Sequence, residues 1–515
     1  MKRLILFFLV YPLMLNAQTK FDYNWVFGYP SDPDFPPYYL QNGSQIDFNF
    51  LPASYKYFEI PVEMKANAVI SDSAGTLLFY SNGCVIVNRQ HAIMNNGADV
   101  NLGGLAYEQS CQSNTYHMGY PTFQGAMALT YPGRVNHYIL LHLHRPGEEK
   151  RIEELLYTVV DMKQDSGLGT VTAKNQLAYQ DTMVDMLTAV RHGNGRDWWI
   201  VLPKFNAPTY YVFLLSPQGI SAPLIQQKIG FPIINGGVGI QAAFTPNGKK
   251  YANLSSGAGL QVFDFDRCTG RLSNPVRVPF PSDVGFAAGV AFSPNSRFLY
   301  ASTTDSLFQF DFKTNDFVQS KILIGVYEGF VDPEETTTPV NFNQMMATPD
   351  GRIFMTCANG SRYLHVIQQP NEKGVTCNFE QHSIKLPTFH AFSTPNFPHF
   401  RLFDVPGSPC DTLGINGLQP PEDTLVPPDP PLPCAGDIRL HPNPATTMTV
   451  LELPQCQGGL LTVFDVAGRK VQEIPLAAEV VSVPLDVSRY VAGVYLLRIR
   501  TADGEVVTRS LAVLR

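Results

Sequence analysis

The pair His142-Leu143-His144 is the first place where residue type and spacing could do chemistry. On a strand, positions i and i+2 share a face, so both imidazoles could converge on one metal ion. No partnered third ligand is evident, and the simpler reading is two polar side chains on a solvent-facing strand edge. Gly237-Val238-Gly239 with Ala242 fits the spacing G-x-G-x-x-A, yet it runs into Ala243-Phe244-Thr245-Pro246, a strand and a turn. A dinucleotide site needs a helix N-terminus there. The sequence contains no G-x-S-x-G elbow, P-loop or H-E-x-x-H. Glu148-Glu149 and Glu153-Glu154 read as a solvated loop face, and Asp332-Pro333-Glu334-Glu335 as a surface loop able to bind calcium weakly. Trp198-Trp199 reads as divided between core and surface, although exposed aromatics would suit glycan or peptide stacking. No catalytic, cofactor-binding or metal-binding residue is assigned, and no cofactor is expected.

The elements that would position such groups are strands. Of 515 residues, 44% are hydrophobic, only 16% are charged and 12% are aromatic, with 40 Gly and 41 Pro to supply turns. That mix favours a sheet-rich folded chain over long helices or disorder. A net charge of −7 without a Lys/Arg cluster argues against nucleic acid as a partner.

One unit recurs in the middle of the chain. Residues 239–265, 289–312 and 343–367 each read as strand, turn, strand, turn, strand, and the turns are Thr245-Pro246-Asn247-Gly248, Ser293-Pro294-Asn295-Ser296 and Thr348-Pro349-Asp350-Gly351. Proline presets φ, and Asn and Gly tolerate positive φ at the following positions. Looser copies cover Ala68–Tyr80, Ala126–His142 and Leu187–Leu215. Six units plus a closing strand set from residues before 60 or after 385 predict an all-β body, a β-propeller of about seven blades. An array of two-sheet sandwiches is the competing architecture.

Both ends carry addresses. Lys2 and Arg3 precede an apolar run from Leu4 to Leu15, and Ala17–Gln18 offers a cleavage site, the pattern of an export signal over residues 1–17. Export makes disulfides plausible among the eight cysteines, with Cys357–Cys377 and Cys410–Cys434 as expected pairs and Cys434–Cys456 as an alternative. The body is expected over residues 18–410 and a linker over 411–437, where Pro420–Pro433 holds seven prolines in fourteen residues. Residues 438–515 read as short alternating strands separated by Asn-Pro, Ala-Gly and Asp-Gly turns, and close naturally as a small β-sandwich.

Two resemblances attach to these segments. Asp72–Gly83, Gln124–Leu129, Val159–Met162 with Gly167-Leu168-Gly169, and Gln369–Gly374 resemble secreted WD-repeat-like propeller proteins, a group that brings no assigned chemistry. Pro442-Asn443-Pro444, Asp465 with Gly468-Arg469, and Gly493 with Tyr495 resemble the type A C-terminal sorting domain of type IX secretion cargo. That resemblance implies partners in the type IX machinery and its sorting peptidase. It also implies removal of the tail and attachment to surface lipopolysaccharide or release, leaving a mature chain from residue 18 to about 436 at the cell surface or in the medium. The expected role of the body is binding or adhesion to an unknown glycan, peptide or protein. The competing expectation is a propeller hydrolase, lactonase or lyase with a channel metal.

Overall fold

A computed structural model describes residues 19–29, 42–112, 119–147, 151–234, 239–255, 257–280, 288–334, 339–415, 439–452, 459–465, 469–476, 482–501 and 506–514. The export signal with Ala17 and Gln18, the prolines of the linker, Gly468, Cys434 and Cys456 lie outside these residues. Among the described residues strand accounts for 50% and helix for 3%, which makes the chain all-β. The chain divides into two compact units, residues 1–423 and 424–515.

Among the described residues the first unit contains seven small antiparallel sheets wound from strands in chain order, except that Leu224–Gln227 of the fourth pairs with Thr209–Ser216. The first sheet is Asn24–Tyr29, Asn42–Asp47 and Ser54–Phe58, and the second is Ala68–Ser71, Leu77–Ser81 and Ile86–Asn88. The third runs from Ala126–Thr130 through His137–His144 and Ile152–Asp161 to Thr170–Met183. The fourth begins Thr188–Arg191, Trp198–Pro203, Thr209–Ser216. The three clear repeats of the sequence become the fifth, sixth and seventh sheets, which open with Ile240–Phe244, Gly289–Phe292 and Met345–Ala347. The last strand of the seventh sheet is Phe379–His390.

Opening strands of the first to third sheets, and again of the fourth to seventh, pack side by side, and Phe379–His390 packs on the first sheet, where Ser44 and Thr388 hydroxyls meet at 2.7 Å. Most strands nearest this interior run apolar without alternation. Leu77–Ser81 and Trp198–Pro203 are buried at every position, as expected of strands covered on both faces. The repeat turns share one lock. The Thr245 hydroxyl donates to Asn247 Oδ1 at 2.8 Å, the Ser293 hydroxyl donates to Asn295 Oδ1 at 2.7 Å, and Thr348 and Asp350 pair in the same way. Gly248 follows at φ 70°, where an L side chain would be strained.

The cysteine expectations need correction. Cys84 is bonded to Cys111 and Cys268 to Cys410, while Cys357 and Cys377 are free and buried. Cys357 lies just before the seven-residue strand Ser361–Ile367 and Cys377 beyond its far end. A strand of that length spans roughly 20 Å, well beyond disulfide reach. Cys410 is taken by Cys268 rather than Cys434.

The second unit is two sheets. Arg439–His441, Met448–Glu452 and Ser482–Asp486 form one, and Lys470–Leu476, Gly459–Phe464, Gly493–Thr501 and Val506–Val513 the other. Leu451, Val483 and Leu485 of the first share a core with Leu461, Val463, Leu497, Ile499 and Leu511 of the second. The two sheets thus share one core, and the strand Gly493–Thr501 alternates: Tyr495, Leu497 and Ile499 are buried, and Leu496, Arg498 and Arg500 are exposed.

Candidate functional site

The tail motif residues divide into a clip and a turn. Asn443 sits beside the last strand, where its amide donates to the Ser510 carbonyl and its Oδ1 accepts from Ala512 N–H, both at 2.9 Å. Pro442 accepts from the Thr449 hydroxyl at 2.9 Å, and Ala445, just after Pro444, donates to the Ala512 carbonyl at 2.8 Å. The Pro-Asn-Pro segment therefore ties the first sheet of this unit to the closing strand of the second. At the turn, Asp465 accepts from Arg469 N–H at 3.0 Å and from its guanidinium at 2.8 Å. Gly493 opens the strand that carries Tyr495, whose hydroxyl donates to the Val491 carbonyl at 2.8 Å.

In the body, His142 and His144 do lie on one strand face, but they are buried rather than facing solvent. Both ring nitrogens of each are engaged: His142 with Asn101 Oδ1 at 2.6 Å and Thr158 Oγ1 at 3.0 Å, His144 with Glu154 at 2.9 Å and the Gly103 carbonyl at 3.0 Å. Burial, and secondarily His144, pushes the His142 pKa down to about 3, so it stays neutral. Glu153 and Glu154 belong to the strand Ile152–Asp161, not a loop, and Glu154 is held by His144. Asp332 is also no solvated loop residue. It is 1% exposed and grips the Arg362 guanidinium at 2.9–3.2 Å, with Glu334 3.1 Å from the same group. Glu148, Glu149 and Glu335 lie outside the described residues.

Trp198 and Trp199 are both core, which removes the expected surface aromatic. Arg191 stacks on Trp198 at 3.6 Å, and Trp199 Nε1 donates to the Arg267 carbonyl at 2.7 Å. Gly237 and Val238 lie outside the described residues, and Ile240–Phe244 is a strand as the sequence implies. Among the described residues, no three or more His, Cys, Asp or Glu side chains converge to hold a metal ion.

The interior where the opening strands meet is filled by the chain itself. Residues 391–402 form no strand and carry no sequence period that would mark them. Asn396 donates to the Ala126 and Leu187 carbonyls at 3.0 Å, its N–H donates to the Asn67 carbonyl at 2.9 Å, and His399 lies 3.0 Å from the Phe244 carbonyl. Gln124 exchanges two hydrogen bonds with Ala242, at 2.7 and 2.8 Å. Gln241 likewise donates to the Met345 carbonyl and accepts from Met345 and Val290 N–H groups, at 2.7–3.0 Å. Neutral amides thus satisfy the strand edges and leave a cavity of about 30 Å³, water-sized, lined by Gln124, Gln241, Asn396 and His399. The carboxyl of Asp185 is fully buried beside it, accepts from Phe123 and Gln124 N–H groups, and is pushed by burial up to about 6.

No curated protein sequence matches the chain. Solved structures similar to it include two candidate 6-phosphogluconolactonases. The one from Bacteroides uniformis has TM-score 0.42 and 15% identity, covering 71% of this chain and 97% of that one. The one from Bacteroides fragilis has TM-score 0.41 and 12% identity, covering 72% and 97%. A functionally unknown protein from Desulfotomaculum acetoxidans has TM-score 0.38 and 13% identity, covering 72% and 99%. At these scores nothing about activity passes from them to this chain. Among the described residues, no helix is long and apolar enough to cross a membrane. Residues 439–513 match the secretion system C-terminal sorting domain, and so the chain carries at its end a tail of the kind that sends cargo through type IX secretion to the cell surface or medium.

Proposed function

We propose that this chain is type IX secretion cargo whose body, residues 18–410, is a WD-repeat-like propeller of about seven blades that binds a surface glycan, peptide or protein. Residues 411–437 act as the spacer and 438–515 as the removable sorting tail, recognised by the machinery and its peptidase, with cleavage at Ala17–Gln18 at the other end. Removal of the tail leaves a mature chain from residue 18 to about 436, released or attached to lipopolysaccharide. The carrying observation is the matched tail, residues 439–513, with Asn443, Asp465 and Arg469 engaged as its clip and turn.

Seven sheets in chain order, with the seventh packed on the first, support the propeller reading. Amides and residues 391–402 occupy the interior, so a ligand would meet loops at the sheet ends rather than the axis. The lactonase or lyase reading would place a metal among acids and histidines, and the one paired candidate, His142 with His144, is committed to protein partners at every ring nitrogen. Glycan and peptide arrays probed with the full secreted protein test the binding role. Saturable binding without turnover is expected. Turnover that disappears with a dialysis-resistant metal would replace it with the hydrolytic reading.

A further inference from the structure

We propose that the Cys268–Cys410 disulfide is a force-bearing latch that keeps the body folded while its tail is drawn across the outer membrane. The inference rests on the sorting reading of the tail and goes beyond it. Any pull on the tail enters the body through the residues that follow Cys410, because the chain runs continuously from there into the linker.

Just upstream lies the segment that fills the interior, held by bonds strung one after another along an extended stretch. From the far end they are Ser393 to the Lys65 carbonyl, Asn396 to Asn67, Ala126 and Leu187, His399 to Phe244, and Arg401 to Asp22 at 2.6 and 2.7 Å. Tension from residue 411 would load these contacts one residue after another, the geometry of a zipper. Each net bond is weak when taken alone. Loss of the segment would uncover the edges of the opening strands of the second to fifth sheets.

The disulfide diverts that path. Cys268 sits in the turn after the strand Gly259–Asp266, and the bond to Cys410 closes a loop with a sequence separation of 142. Everything from residue 269 to 409, including the interior segment, lies inside the closed loop and carries no tension between the tail and the N-terminal sheets. The anchor is itself braced. Arg267 donates to the Arg191 carbonyl at 2.8 Å and to the Phe403 carbonyl, and Val405 N–H donates to the Gly193 carbonyl at 2.8 Å. The second disulfide, Cys84–Cys111, closes a separation of only 27 and lies off this path, so it serves as an internal control.

The test expresses the full chain in a host with working type IX secretion and in the same host with the translocation machinery disabled. Compared are the wild type, C268A/C410A and C84A/C111A. The latch variant should lose most of its exported full-length protein and yield periplasmic fragments only where the machinery runs, while accumulating like wild type where it does not. The control variant should show no such dependence on the machinery. Equal loss of C268A/C410A in both hosts would make the bond a plain stability staple, and export at the wild-type level would remove the latch; either result overturns the proposal. Wild-type chain leaving the cell with the machinery disabled would instead sink the sorting reading itself.

Discussion

The body and the tail solve the same problem, closing a sheet protein in water, by different means. The tail buries one face of each of two sheets, and its strand Gly493–Thr501 simply alternates in and out. The body packs seven sheets around an interior where strand edges meet, and there burial alone leaves backbone groups unpaired. Gln124, Gln241 and Asn396 fill that need with side-chain amides. Each unit is therefore vulnerable in a different place, the tail in its apolar core and the body in its buried side-chain amides.

Substitutions in the body should destabilise most. Trp198→Ala removes a fully buried ring packed on Arg191 and Phe400 and should destabilise the body by about 4 kcal/mol. Calorimetry on the intact chain should show the body transition falling and the tail transition unmoved; a shift of both would break the separation of the two units. Asn396→Leu should come next, about 3 kcal/mol, because it leaves the Ala126 and Leu187 carbonyls buried without their donor. Urea midpoints of the variant and wild type measure it, and a neutral result would show that the amides are dispensable.

The pH dependence separates the units further, since the histidines involved belong to the body. Burial holds His142 and His365 down to about 3 and His399 to about 4, so the unfolded chain protonates first, near 6.5. Their stabilisation is full above pH 6.5 and is lost as pH falls to those values, up to about 5 kcal/mol for His142 alone. Burial acts oppositely on Glu63, raised to about 7, and Asp185, raised to about 6, which gain stability as pH falls through those values. The body should therefore weaken gently from pH 6.5 and steeply below about 4.5, once the unfolded carboxyls protonate as well. His142→Gln should flatten the lower limb, read from thermal midpoints against pH; an unchanged limb would mean that His142 is not the group lost.

The smallest stability effect is the most informative for the tail. Arg469 is largely exposed, and its pair with Asp465 contributes less than about 1 kcal/mol. Arg469→Ala should leave the tail melting point nearly unchanged while reducing export, as a recognition residue would. Equal export would assign the turn a purely structural role.

Legibility in the sequence followed the same divide. Tail strands and the three repeat turns were readable because alternation and the Thr/Ser-Pro-Asn/Asp lock are local. The fates of His142 and His144 were not, because Asn101, Thr158, Gly103 and Glu154 reach them from other loops and strands. Cys268 and Cys410 are too far apart in sequence for spacing to pair them. Residues 391–402 carry no period because side-chain-to-backbone bonds, rather than a strand ladder, hold them. Those bonds leave no pattern in a single chain.

If the tail addresses this body for export, a chain ending before residue 439 stays in the periplasm of a type IX-competent host while the full chain reaches the surface or medium, as fractionation measures directly. Surface display of the shortened chain at the full-length level would contradict it.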